Sequence, residues 1–132
     1  MKIPVHVLSG FLGVGKTTAV KDLLARRAAF ERIAAAAPED LRKGPRGGGR
    51  DRTKVVEHVH GGDDSYASVI GIPAADRRSS PALRERILTI LREPSDGSPI
   101  AGKRWPPRYA ARRIAWHALD HAWEIEDRTE AA

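Results

Sequence analysis

The sequence predicts a mainly α protein: a four-helix up-down bundle led by a short N-terminal strand and a glycine-rich phosphate-loop turn. Three observations point there. Four segments carry apolar residues at helical spacing. Only the first few residues read as a strand, and no partner strand follows from which a parallel sheet could be built. Histidines lie on the apolar stripe of the last segment, where a bundle core can hold a site. The alternative is an α/β phosphate-loop fragment, suggested by the opening residues alone.

Residues 2–8, KIPVHVL, alternate as a strand does, with Pro4 near the start. SGFLGVG is a glycine-rich turn. From Lys16 to about Ala37 the chain is rich in Ala, Leu, Arg and Lys, with Val20, Leu23, Leu24, Ala28 and Phe30 as candidates for the inner face. Pro38 stops that helix, which at 1.5 Å per residue spans roughly 33 Å. KGPRGGGR, residues 43–50, is a loop. Asp51 is placed to cap a second helix carrying Val55, Val56, Val59, Gly62, Tyr66, Val69 and Ile70. Gly61 and Gly62 each cost that helix about 1 kcal/mol against Ala. Ser80 followed by Pro81 marks the start of a third helix, with Leu83, Ile87, Ile90 and Leu91 on one face. Pro107 opens the fourth, whose stripe is Ala110, Ile114, His117, His121 and Ile125.

Composition narrows the function. Of the 132 residues, 41% are hydrophobic and 30% charged, enough for a packed core. There is no Cys, so disulfides and thiolate metal ligands are excluded, and His or carboxylate ligands are what remains for a transition metal. The net charge of +6 is concentrated in LRKGPRGGGRDRTK, residues 41–54. No aromatic residue interleaves with that run to stack bases, so nucleic acid is not the expected partner and a solvated loop is. No stretch of about 18 apolar residues is present to span a membrane. No small-residue cleavage site follows the N-terminal stretch, so the expected location is the cytoplasm.

Gly10-Phe11-Leu12-Gly13-Val14-Gly15-Lys16-Thr17 fits the phosphate-loop pattern G-x-x-x-x-G-K-[ST] without a mismatch. Such glycines let backbone N–H groups wrap an anion at a helix N-terminus. Gly10, Gly13, Gly15, Lys16, Thr17 and Thr18 are the candidate phosphate-binding residues, with Lys16 on the terminal phosphates and Thr17 on Mg²⁺. The run IPVHVLSGFLGVGKTT, over about residues 2–25, resembles the start of the CobW-type GTP-binding metal chaperones. That resemblance implies GTP and Mg²⁺ as ligands. Further along, the pattern breaks. The apolar stretch that should end in a Mg²⁺-supporting Asp is VIGIPAAD, which ends at Asp76 and is interrupted by Pro73. With no Asn, the family's usual guanine-reading motif is absent, and with no Cys, so is its metal motif. GTP hydrolysis is therefore not expected.

His117 and His121 are four residues apart and share a helix face. Spacing alone leaves two readings, hydrogen-bonded core histidines or metal ligands. His58 on the second helix, read as facing inward, supplies a third imidazole, while His60 points elsewhere and is expected to be exposed. Three imidazoles suit Zn²⁺ or Ni²⁺ and leave a coordination position open. No carboxylate–His pair stands out as a general base. The segments PRGGGRDRTKVVEHVHGGDDSYASVIG and RWPPRYAARRIAWHALDHAWEIEDR resemble the DinB-like superfamily of four-helix bundles, over about residues 30–128. The resemblance implies a divalent metal held by His58, His117 and His121. It also implies a small-molecule substrate, in some relatives with a low-molecular-weight thiol in transferase or isomerase chemistry, and it is compatible with a homodimer. Asp63 and Tyr66 match polar and aromatic positions of the family without an assigned role. The chain thus reads as a join, a CobW-like start spliced onto a DinB-like bundle, of the kind a truncated or misassembled reading frame produces. These resemblances, rather than the helical pattern, imply a division: residues 1–29 as a strand, phosphate loop and helix start, and residues 30–132 as the bundle. Three functions remain: a metal-binding bundle with thiol-dependent chemistry, a CobW-type nucleotide-binding protein, and a non-catalytic helical protein whose basic loop meets an acidic partner.

Overall fold

The computed structural model describes the backbone of residues 5–129 and the side chains of residues 15–129. Four helices form the bundle: α1 over Val5–Ala36, α2 over Arg52–Val69, α3 over Pro81–Arg92 and α4 over Pro107–Arg128. Short 3-10 turns at Ala74–Asp76 and Ile100–Gly102 precede α3 and α4. No helix among the described residues is long and apolar enough to cross a membrane.

No strand occurs among the described residues, which corrects the expected N-terminal strand and glycine turn. Residues 2–4 lie outside the described residues. From Val5 onward the backbone belongs to α1, and Gly10, Gly13 and Gly15 fall within that helix. The physical reason is the missing sheet. A lone strand leaves its N–H and C=O groups unpaired, whereas a helix satisfies them internally. The expected junction at residues 29 and 30 also falls inside α1, and Leu23 and Phe30 on either side of it are both fully buried.

The boundaries follow local chemistry. α1 ends before Pro38, where the Ala37 N–H donates to the Ile33 and Ala34 carbonyls. Ser80 Oγ accepts the Leu83 N–H at 3.1 Å and Pro81 takes the first turn, so α3 starts as the sequence predicts. Asp51 holds the N-cap backbone position of α2, but its carboxylate accepts from the Leu41 N–H and from Lys43 Nζ rather than capping the helix. Glu39 does that work from the preceding turn, accepting the Thr53 N–H and the Thr53 hydroxyl.

Pairings between helices set their directions. Gly15 lies against Arg108 and Arg42 pairs with Arg128, so α1 and α4 run in the same sense. Glu31 meets both His60 and Arg84, Arg52 reaches the Ala37 carbonyl, and Lys16 reaches the Glu93 carbonyl, so α2 and α3 both run against α1. The order is up-down-down-up rather than alternating. Residues 70–80 double back along α2, where Ser79 Oγ donates to the His60 carbonyl at 2.7 Å. A connection of this length lets two successive helices lie parallel.

The core has two parts. Ala19, Val20 and Leu23 of α1 meet Ala67, Leu83, Ile87, Leu91, Ile114 and Ala115 at one end. At the other, Phe30 and Ala34 meet Val55, Val59, Ala118, Ala122 and Ile125. Alanines at 110, 111, 115, 118 and 122 keep the buried face of α4 narrow, which allows the close approach of α1. α3 is only 12 residues long and contributes to the first part alone.

A charge sits inside this packing. Asp63 is 1% exposed, and its carboxylate takes Arg27 of α1 at 2.6 Å and Arg84 of α3 at 2.8 Å. Arg27 is itself only 8% exposed. Arg84 also reaches Glu31, which accepts from His60 at 2.6 Å. His60 is thus half-buried against Phe30 and Glu31, not exposed as its helical position suggested. Removing one member of a buried pair leaves the other desolvated and unpaired, at about 3–5 kcal/mol. Urea denaturation of Asp63→Ala is expected to show a loss of that size, while Asp22→Ala, which removes the exposed Asp22–Arg26 pair, costs under about 1 kcal/mol.

Candidate metal centre

His58, His117 and His121 come together at the seam of α2 and α4. Each offers a ring nitrogen, and these nitrogens all lie within 4.8 Å of one another. His58 Nε2 and His117 Nε2 are 3.3 Å apart. The ring centroids of His121 are 4.7 Å from both neighbours. The three histidines expected to act together are therefore the three that the tertiary structure gathers. Their setting is graded: His121 is buried, His117 half-buried and His58 exposed. The inward orientation expected for His58 is corrected accordingly. It stands at the rim, its ring edge-on to the other two, because Val55 and Val59 take the inner face of α2.

Glycine at 62 has a spatial reason. A Cβ there would lie 3.1 Å from His117 Cε1, so the missing side chain is the space in which the His117 ring sits. Tyr66, one turn on, packs its ring edge-on to His117 at 5.7 Å and against Trp105 at 6.0 Å. Burial raises the Tyr66 phenol above its ordinary pKa, so it stands as a neutral hydroxyl wall. Asp63, the other residue without a sequence-assigned role, belongs to the buried ion pairs and not to this site.

Burial, reinforced by His121 and His58, pushes the His117 pKa down to about 4. His58 is lowered as well, by burial first and then by Arg50 and His121. A depressed imidazole pKa keeps the ring neutral at pH 7 with a lone pair available, which is the form a metal requires.

Glu124 is a site residue that sequence reading missed. Its Oε1 lies 2.7 Å from His121 Nδ1 and its Oε2 accepts from Arg128 Nη1 at 2.7 Å. Burial works to raise the Glu124 pKa, but the hydrogen bonds from His121 and Arg128 outweigh it and hold the carboxyl below its ordinary value. The signal was present as the i, i+3 spacing from His121. A second carboxylate–imidazole pair, Glu31 with His60, lies apart from the triad on the Asp63 network.

The phosphate-loop candidates are placed differently. Lys16 Nζ donates to the Glu93 carbonyl at the end of α3, a cation against a helix C-terminus. Lys16 and Thr17 line a depression of about 280 Å³ together with Lys21 and Arg92, and Thr18 is exposed. The side chains of residues 10–14 lie outside those described. Asp76, the one candidate for supporting Mg²⁺, is exposed and paired with Arg86 at 3.3 Å. The basic run is not free in solvent throughout: Arg42 and Arg50 are tied through Arg128 to the end of α4.

The depressed His117 pKa sets a pH dependence. The folded value lies near 4 and the unfolded one near 6.5. Between them the unfolded chain binds more protons, so metal-free stability is full above about pH 6.5 and falls as pH drops toward 4. Allowing for solvent screening of a half-buried ring, the loss is on the order of 2 kcal/mol. Urea denaturation in chelator across that range is expected to show a shallower acid loss for His117→Ala than for the wild type.

A family model described as CobW/HypB/UreG, nucleotide-binding domain matches residues 4–39, the start of the chain. No curated protein and no solved structure gives a match.

Proposed function

We propose that this protein is a divalent-metal-binding helical bundle of the DinB-like kind. In this reading His58, His117 and His121 hold zinc or nickel, and a fourth position faces solvent. One observation carries it: the 3.3 Å between His58 Nε2 and His117 Nε2. Two imidazole nitrogens each 2.0–2.1 Å from zinc at a tetrahedral angle stand about 3.3–3.4 Å apart. The pair is thus at ligand spacing, and a ring nitrogen of His121 lies within 4.8 Å of both. The competing reading, an imidazole–imidazole hydrogen bond, accounts for one contact but not for the convergence of a third ring.

A metal bound here supplies Lewis acidity to water, a thiol or a carbonyl at the open position. The exposed rim at His58 gives a small molecule access, and the Tyr66 and Trp105 rings give it an aromatic wall. A low-molecular-weight thiol fits such a site, since a thiolate is a good ligand for zinc and the chain has no thiol of its own. We assign the activity to thiol-dependent transfer or isomerisation on this basis.

A second reading rests on the family match at residues 4–39. It makes the protein a nucleotide-binding one, with Lys16 and Thr17 on phosphate and Mg²⁺. Against it stand the engagement of Lys16 by the Glu93 carbonyl and the pairing of Asp76 with Arg86.

Elemental mass spectrometry of the purified protein separates the readings. The expected result is about one equivalent of zinc or nickel, lost in the His117→Ala/His121→Ala double variant while helical content is kept. A folded wild type that takes up no metal overturns the first reading. Magnesium-dependent binding of GTP that disappears in Lys16→Ala establishes the second.

A further inference from the structure

The structure points to Glu124, clamped by Arg128, as the positioning residue of the histidine site: we propose that it fixes His121 so that Nε2 is the metal-binding atom. The inference rests on the reading of His58, His117 and His121 as a metal centre and extends it to residues that do not touch the metal. An ionised carboxylate only accepts hydrogen bonds. With Glu124 Oε1 at 2.7 Å, His121 Nδ1 must therefore carry the hydrogen, and the lone pair is left on Nε2. This carboxylate–imidazole arrangement sets the tautomer and ring orientation and makes the ligating nitrogen more basic.

Glu124 is not a freely swinging surface acid. Arg128 Nη1 donates to its second oxygen at 2.7 Å. The same guanidinium donates from Nη2 to the Arg50 carbonyl at 2.6 Å and from Nε to the Arg42 carbonyl at 2.9 Å. Arg42 returns the tie, its N–H donating to the Arg128 carbonyl and its guanidinium to the Asp127 carbonyl, both at 2.7 Å. Gly49 makes room: at φ +129° it holds a backbone shape that disfavours other residues, and a Cβ there would stand 2.6 Å from Arg128 Nη2. The loop over residues 42–50 thus acts through one arginine on the carboxylate behind His121. Both Glu124 oxygens are engaged, so in this arrangement it orients a ligand rather than serving as the fourth one.

The test uses Co²⁺ as the probe with the full-length wild type, Glu124→Ala and Glu124→Gln. Glu124→Ala is expected to bind Co²⁺ about 10–100-fold more weakly. Glu124→Gln is expected to recover much of the loss, because its amide oxygen still accepts from Nδ1–H. At saturation the visible Co²⁺ bands of Glu124→Ala should match the wild type, since the three imidazoles remain. In the metal-free protein, ¹⁵N spectra should show His121 as the Nδ1–H tautomer in the wild type and as a mixture in Glu124→Ala. Equal Co²⁺ affinity and an unchanged tautomer in Glu124→Ala overturn this inference and leave the metal reading standing, even if the variant melts lower. Altered bands with no rescue by Gln make Glu124 a direct ligand and also overturn it. A wild type that binds no Co²⁺ overturns the metal reading and this inference with it.

Discussion

The bundle depends on the carboxylate of Asp63. It lies inside the protein and holds two arginines from two other helices, Arg27 of α1 and Arg84 of α3. An unpaired buried charge costs several kcal/mol. Any arrangement that slides α1 or α3 past α2 breaks one of these contacts, so the pairing specifies the register of three helices. Arg84 near the start of α3 and Lys16 at the Glu93 carbonyl near its end together set the parallel course of α2 and α3. The last helix is held by other means. The alanine face of α4 allows a close approach to α1, and Ile114 and Ile125 anchor it in the two parts of the core.

The histidine site is a consequence of this frame. His117 lies on α4 between Ala115 of one core part and Ala118 of the other, where the packing changes hands. Gly62 opens the space for its ring on α2. Burial lowers the pKa of His117 and of His58, which makes their close approach tolerable in a chain of net charge +6. A cluster of charged imidazoles at these distances would repel itself apart. Neutral rings whose nitrogens lie this close can turn their lone pairs to a shared cation.

The phosphate-loop motif shows how far a local pattern depends on its surroundings. Its residues satisfy the pattern completely, and the family match covers residues 4–39. A glycine loop wraps phosphate only when a strand before it and a helix behind it hold it open. No strand is present among the described residues, and α1 runs through the motif from Val5 although its glycines are poor helix formers. Lys16 ends as a partner for the last carbonyls of α3. The apolar and alanine-rich residues after it serve a bundle as readily as they would serve an α/β unit.

Much was legible from the residues. The helical class, the breaks at Pro38, Ser80 and Pro107, and the shared face of His117 and His121 follow from periodicity, capping chemistry and i, i+4 spacing, which are local properties, whereas His58 joins that pair from 59 residues away. Other features were beyond reach of that reasoning. Asp63 had no assigned role and His60 looked like an exposed histidine, because burial is decided by which helix covers a position and not by the position itself. Glu124 and Arg128 look like an ordinary exposed helical pair until the loop over residues 42–50 folds against them. The sequence by itself determined the four helices and the candidate ligands, since hydrogen bonding within a helix and the direction of its side chains depend on neighbours a few residues away. Only the tertiary structure decided the up-down-down-up order, the buried arginine–aspartate clamp and the carboxylate behind His121, because each is a contact between residues distant along the chain or depends on one.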